Sequence, residues 1–387
     1  MELDELKNSV RAGEFGAITL DTSIFDAQGL RLESGLLKQL EQFQDSSTRL
    51  ILSEIVKEET LSHLMKKARD AQKEIEKSLK QAKEHWRIQD QDIKEIREIV
   101  FGEREAQEVV FDRFNQFAEL TSLEIVEAQN HVMLGDLIQK YFKARPPFSE
   151  TGEKKNEFPD AIALMSLETW ASKNQTKIIV VTSDNDWKSF CKDSERLIAV
   201  NDFAGALGLF QLQDADDICK YLSEKYEKGE LENVQEAISN ALEYQMSDLE
   251  IYPEVTSSYI YEQDSTEVTL NGFEFKLLET PNLIFRPVNF DDESLVVESR
   301  LSVDVYIECS FSFSVYDSID KDEVPFGSGS ANIQTNLDVD ILVSFVGSLD
   351  KVGAEIEVAD VEIEIKTIDA VDFGEIEPDW MGEDYDY

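Results

Sequence analysis

Several ingredients are scarce in this chain, and each scarcity excludes a chemistry. Among 387 residues there are three cysteines and three histidines. Cys191, Cys219 and Cys309 are odd in number and widely spaced, so neither a disulfide framework nor a CxxC zinc site can be built from them. His63, His85 and His131 leave too little material for a histidine-rich metal centre. No stretch approaches the roughly 18–20 consecutive apolar residues of a membrane span. The opening residues, Met1-Glu-Leu-Asp-Glu-Leu, are acidic where a secretory signal would be basic and then apolar, so a soluble, cytoplasmic protein is expected. A phosphate-cradling GxxxxGK(S/T) loop is absent, as is a GxSxG nucleophile turn. Gly205-Ala-Leu-Gly208 lacks the dinucleotide spacing. Whatever this chain catalyses, carboxylates must carry it.

Positive charge is scarce too. Lys and Arg number 37 against 81 Asp and Glu, a formal charge of −44. Residues 251–387 hold 32 acidic and 6 basic residues, and the preceding 250 hold 49 and 31. So acidic a body repels nucleic acid at long range and argues against a DNA-coating role. What is present is a core: 42% hydrophobic residues and 22 Phe exclude a wholly disordered acidic tail.

The first 210 residues alternate short apolar runs with helical patterns, the signature of an α/β domain. Ala17–Leu20, Leu50–Leu52, Ser122–Val126, Lys177–Thr182 and Leu197–Val200 read as strands. Lys177-Ile-Ile-Val-Val-Thr182 is the strongest parallel strand, apolar on both faces. A Lys/Glu-rich helical stretch runs from Glu54 to about Arg87 and continues past an interruption near Gly102 through Phe111, Phe114 and Phe117. Residues 211–250 read as a helical connector. From Leu301 to Val315 every odd position is apolar, and further alternations run through 333–345 and 361–365. This period of two means antiparallel strands with one wet face, here in an acidic β-domain over 251–387, sandwich-like or half-barrel. Fifteen alternating residues also imply a bend or a bulge.

Asp21 ends the first strand and Asp184 ends the strongest one. Open parallel sheets bind ligands beyond the carboxyl ends of their strands. Two carboxylates held together there need a cation, and hard oxygen donors suit Mg²⁺ or Mn²⁺. Such ions activate water for phosphodiester hydrolysis, so the residues point to a metal-dependent nuclease.

The residues also resemble a family. Leu20-Asp21-Thr22-Ser23, Ser53-Glu-Ile-Val-Lys-Glu-Glu59, Glu157-Phe-Pro-Asp160-Ala-Ile-Ala-Leu and Val181-Thr-Ser-Asp184-Asn-Asp186-Trp resemble the PIN domain, in that family's order. The likeness covers roughly residues 15–205 and is greatest to a bacterial PIN-like group with a K-K-x-E-F-P-D-A segment. It implies a PIN-like parallel sheet with helices on both faces, within residues 1–210, and a long helical insertion at about 65–120. It implies a Mg²⁺- or Mn²⁺-dependent nuclease, with RNA ahead of DNA as substrate. Asp21, Glu59, Asp160 and Asp184 then match the acidic set, with Asp186 as an outer-sphere candidate. Glu58 is the adjacent rival to Glu59, and Glu157 sits one turn ahead of Asp160. Thr22 and Ser23 are candidates to hold water or phosphate. Lys154 and Lys155 are candidates for phosphate contact, with Arg145 as a weaker one.

Each residue also has a plainer reading. A strand-end Asp commonly serves a turn or a cap, Asp160 favours a helix start, and Glu58 and Glu59 suit a solvated helix face. Trp187 and Phe190 read as core ahead of base-stacking platforms, Cys309 reads as core, and His63, one turn beyond Glu59, is placed to approach the site. The competing function is a catalytically weak scaffold whose acidic β-domain docks a protein partner. A homo-oligomer and a role in prokaryotic defence or as a toxin follow only from the kind of family resembled.

Overall fold

The computed structural model describes residues 3–102, 104–148, 157–247, 249–278, 283–291, 293–317, 319, 321–347, 356–363 and 367–379. The chain divides into two compact units, 1–210 and 211–387.

The first unit begins with α1 (Leu3–Arg11), β1 (Phe15–Leu20), α2 (Thr22–Ala27), α3 (Gly35–Lys38) and β2 (Arg49–Ser53). Three helices follow, α4 (Glu54–Trp86), α5 (Asp90–Phe101) and α6 (Ala106–Leu120), and then β3 (Glu124–Val126). Next come α7 (Ala128–His131), α8 (Leu134–Phe142), α9 (Phe158–Asn174), β4 (Lys177–Val181), α10 (Asn185–Asp193), β5 (Leu197–Val200) and α11 (Phe203–Gly208). The five strands pair in parallel in the order β3-β2-β1-β4-β5. Ile18, Leu20, Leu50, Leu52 and Ile178 through Val181 are buried, as helices on both faces require. The chain leaves β1 toward β2 on one side and β4 toward β5 on the other. The order therefore reverses between β1 and β4, which opens a crevice at their carboxyl ends.

The expected insertion carries the helices α4, α5 and α6. Ser53 caps α4 by accepting the amide of Val56 at 3.2 Å. α4 runs for 33 residues, about 50 Å at 1.5 Å per residue. Its buried residues, Val56, Thr60, Leu61 and Leu64, all lie in its first third. Beyond them the helix is mostly exposed, and Arg97 of α5 pairs with Glu76 at 2.5 Å. α6 returns to the body, where Phe117 meets Phe25 edge-on at 6.2 Å.

The second unit begins with α12 (Gln213–Glu227) and α13 (Glu232–Ser247), the segment expected as a connector. Both helices enter this unit's core: Ile218, Leu222, Ile238 and Leu242 pack in one cluster with Val303, Val305, Ile307 and Phe311. Its strands are β6 (Glu250–Thr256), β7 (Ile260–Lys276), β8 (Arg286–Phe290), β9 (Ser294–Asp317), β10 (Asp322–Gly347), β11 (Ile356–Ile363) and β12 (Thr367–Glu375). The main sheet is antiparallel in the order β11-β10-β9-β7, with β8 also on β9, while β6 and β12 form a separate parallel pair. Helices cover the apolar face, so this is a helix-backed sheet rather than a two-sheet sandwich.

The alternation from 301 holds through Phe313 and fails at its last expected position, where Val315 is 41% exposed. Leu301, Val303, Val305, Ile307, Cys309, Phe311 and Phe313 are buried, and Ser302, Asp304, Tyr306 and Glu308 face the other way. The irregularities fall on the partners of β9. The register shifts between Gln263 and Ser265 and between Leu270 and Gly272 on β7, and between Pro325 and Gly327 on β10. No helix among the described residues is long and apolar enough to cross a membrane.

Candidate active site

The crevice between β1 and β4 gathers carboxylates from four chain segments. Asp21 follows β1 directly and is buried, 6% exposed. Its Oδ2 accepts the hydroxyls of Ser23 at 2.6 Å and Thr182 at 3.0 Å. Thr182 follows β4, and its Oγ1 also accepts the amide of Asp184 at 3.0 Å. One buried threonine thus ties the end of β1 to the turn after β4.

Asp184 is the N-cap of α10, its Oδ1 accepting the amides of Asp186 at 2.6 Å and Trp187 at 3.1 Å. The plain capping role is real, and it also fixes this carboxylate at the mouth of the crevice. The buried Trp187 donates its indole N–H to Oδ1 of Asp160 at 2.8 Å. Asp160 lies in the first turn of α9, just after Pro159 in the N-terminal position that proline favours. Glu59 lies in the second turn of α4, and its Oε2 accepts the hydroxyl of Thr22 at 2.6 Å. Glu58, one residue away, faces outward and pairs with Lys57 at 3.0 Å.

Electrostatics show that these groups share one neighbourhood. Burial pushes the Asp160 carboxyl up from 3.8 to about 6, with further upward pressure from Asp184, Asp21 and Glu59 and an opposing pull from the Trp187 bond. Asp21 is raised by burial and by Asp184, against the hydroxyls that hold it. Asp186 is raised by burial, then by Asp184 and Glu157. Like charges gathered in this way are costly in the absence of a cation.

The chemistry of the donors suits a hard divalent ion. Every candidate ligand atom is a carboxylate oxygen. In Glu59, Asp160 and Asp184 one oxygen is held by a named donor, while the second accepts no hydrogen bond among the described residues. As placed, no group of three or more His, Cys, Asp or Glu among the described residues is arranged to hold a metal ion. The set converges electrostatically without being closed to ligating distance.

Residues 18–187 match the family model described as PIN domain. This stretch is a PIN domain. Neither a curated protein nor a solved structure matches the chain. PIN domains are in general nucleases that need divalent metal ions. The matched stretch spans β1 to the first turn of α10, and so contains all four carboxylates.

Not every sequence candidate joins this cluster. Lys154 and Lys155 lie outside the described residues. Glu157 is the N-cap of α9, and Ser23 also accepts the hydroxyl of Ser183 at 3.0 Å. His63 bonds Asp26 at 2.9 Å, between α4 and α2, instead of reaching the carboxylates. Sequence reasoning missed Thr182 and weighed Trp187 as core or base-stacking platform, not as a donor to Asp160. The signal for Thr182 was a hydroxyl between an apolar strand and a capping Asp.

Trp187 invites a direct test. Trp187→Phe keeps most of the buried ring but leaves Asp160 without its indole donor. We expect a loss of about 1–3 kcal/mol in thermal unfolding, and metal-dependent cleavage about tenfold or more below the parent, the usual cost of losing a ligand's supporting bond. Cleavage at the parent rate would deny Trp187 any part in orienting Asp160.

Proposed function

We propose that this protein is a Mg²⁺- or Mn²⁺-dependent endonuclease acting on RNA ahead of DNA. The observation that carries this reading is the convergence of Asp21, Glu59, Asp160 and Asp184 on one crevice of a PIN domain. These four carboxylates would hold the metal, with Asp186 in an outer position. A divalent ion bound there supplies an activated water and offsets charge on the phosphate.

The chain's own part is preorganisation. Ser23 and Thr182 orient the Asp21 carboxylate, Trp187 orients Asp160, and Thr22 orients Glu59. The free energy of ordering these side chains is spent on folding, before any substrate arrives. A body this acidic gives weak non-specific affinity for a polyanion, so selectivity rests on local cations, on the metal and on substrate shape. A cytoplasmic setting, and a defence or toxin role, belong to the same proposal.

The second reading is a PIN-like scaffold of weak activity whose acidic β-domain docks a partner. It draws on the absence of a ready three-ligand cluster among the described residues. Purified protein offered labelled single-stranded RNA and DNA, with Mn²⁺, Mg²⁺ or chelator, separates the two. Metal-dependent cleavage is the expected result. Intact strands under every metal condition, with no metal binding by calorimetry, favour the scaffold.

A further inference from the structure

A second feature of the first unit lies alongside the carboxylates. A cavity of about 440 Å³ opens between α8 and the flanks of α9 and α10, lined among others by Lys140, Arg145, Glu168, Phe190 and Asp193. Its volume falls within the range of small-molecule and cofactor sites. Its lining carries three cations, Lys140, Lys143 and Arg145, beside three carboxylates, Asp136, Glu168 and Asp193, and Lys143 already donates to Gln139 at 3.2 Å.

Some cations elsewhere in this unit pair with carboxylates, such as Arg49 with Glu124, Arg113 with Glu33, Lys177 with Glu14 and Arg97 with Glu76, and others donate to carbonyl oxygens, such as Lys67 to Gly29, Lys173 to Asn130 and Lys188 to Ser183. Lys140 and Arg145 do neither. Among the described residues neither side chain makes a hydrogen bond or an ion pair, although Glu168 and Asp193 are close enough for Lys140 to feel them. Glu168 is engaged elsewhere, accepting the Ser194 hydroxyl at 2.5 Å. Lys140 instead lies over the ring of Phe190, 4.5 Å from its centroid. Burial lowers its pKa and the neighbouring Arg145 adds to the lowering, so the ammonium is held at a cost that an anion would relieve.

The location supplies a ligand. α9 and α10 both start at the carboxylate crevice, with Asp160 in the first turn of one and Asp184 capping the other. Glu168 lies about 12 Å beyond Asp160 along α9, and Phe190 about 9 Å beyond Asp184 along α10, at 1.5 Å per residue. At a stacked spacing of about 3.4 Å per nucleotide, that is roughly three nucleotides from the crevice.

We propose that this cavity is a phosphate-binding subsite in which Lys140 and Arg145 hold a nucleotide phosphate. The phosphate belongs either to a strand that passes on to the carboxylate crevice or to a free nucleotide. The strand version rests on the nuclease reading, and the binding measurement below does not.

The test is binding in the presence of chelator, so that cleavage plays no part. The full chain is titrated with a fluorescent single-stranded oligoribonucleotide by anisotropy, and with adenosine monophosphate by calorimetry. The comparison is Lys140→Met/Arg145→Gln, which keeps both stems over their neighbours. Circular dichroism and the melting temperature establish that this variant is folded. We expect the variant to bind at least about tenfold more weakly. The slope of log affinity against log salt should also shrink by about 1.4, for two lost contacts to a single strand.

Loss of oligonucleotide binding in the variant supports the strand version. Loss of mononucleotide binding, with no oligonucleotide binding in either protein, supports the free nucleotide. Equal affinity of parent and variant for both probes, or no binding of either probe to the parent, overturns the proposal. If the parent binds through these two residues yet cleaves nothing with Mn²⁺ or Mg²⁺ and binds neither ion by calorimetry, the nuclease reading fails and the phosphate site stands.

Discussion

Replacing Asp160 with Asn should lower metal-dependent cleavage of single-stranded RNA by at least about 10³-fold, as expected for one member of a set that acts as a unit. The same substitution should leave the fold intact and raise the melting temperature at pH 7.5. Both parts follow from the geometry. The Asn amide oxygen can still accept the indole N–H that Trp187 gives to Oδ1 at 2.8 Å. What disappears is a partly buried negative charge that feels Asp184, Asp21 and Glu59. Relief of that repulsion stabilises the metal-free protein, and loss of the charge removes a ligand. Glu58→Gln is the matched control, because Glu58 is exposed and pairs with Lys57; it should cleave at the parent rate. An Asp160→Asn enzyme within tenfold of the parent would sink the role assigned to this carboxylate. A fall caused by Glu58→Gln would move the second acidic position by one residue.

The second large effect concerns pH and metal together. Asp160 is raised on folding from 3.8 to about 6, and Asp21 is raised as well. A carboxyl raised on folding contributes stability that is complete below its unfolded value, near 4, and is lost as pH climbs through its folded value. Without metal, the first unit should therefore become less stable between about pH 4 and 6. For Asp160 this loss is about 1–2 kcal/mol once solvent screening on its exposed side is allowed for.

Protons and a divalent ion compete for the same oxygens. The rise in melting temperature on adding Mn²⁺ should then be largest at pH 7.5 and nearly absent at pH 5. Cleavage at sub-saturating Mn²⁺ should fall about tenfold per pH unit on the acid side, with an inflection no higher than about 6. Differential scanning fluorimetry with Mn²⁺ and with chelator reads the first effect, and initial rates read the second. A Mn²⁺-induced shift of equal size at both pH values would mean that the ion binds elsewhere.

Much of this architecture was legible because strands and helices announce themselves through period and caps. The five parallel strands fall where the short apolar runs are, and Ser53 starts α4 as its position before a helical pattern suggests. The odd-numbered apolar residues from 301 to 313 are buried as their phase requires. Pairing was less legible. β7 has few apolar residues in its first half and shows no clean alternation, yet it pairs with β9 over most of its length. Its place is set by its partner, not by its own pattern.

The packing of α12 and α13 was hidden for a similar reason. An amphipathic stripe says that a helix covers something, without saying what. At the site, residue type and strand-end position marked Asp21 and Asp184, whereas Glu59 and Asp160 entered through the family resemblance. The supporting hydrogen bonds of Thr182 and Trp187 were not legible, because they join residues 161 and 27 positions apart. Such contacts exist only once the sheet has formed.

The acidity of the second unit has a consequence for the way its sheet ends. β7 and β11 are the outer strands of the antiparallel path. Glu262, Asp264, Glu267 and Glu274 are exposed on β7, and Glu357 and Asp360 on β11. An open edge is a template for another chain's strand, and charge placed along it is a standard guard against such addition. A second copy of this unit approaching edge to edge would bring one row of carboxylates against another. Its negative charge thus helps keep from growing a sheet whose three longest strands run 17, 24 and 26 residues.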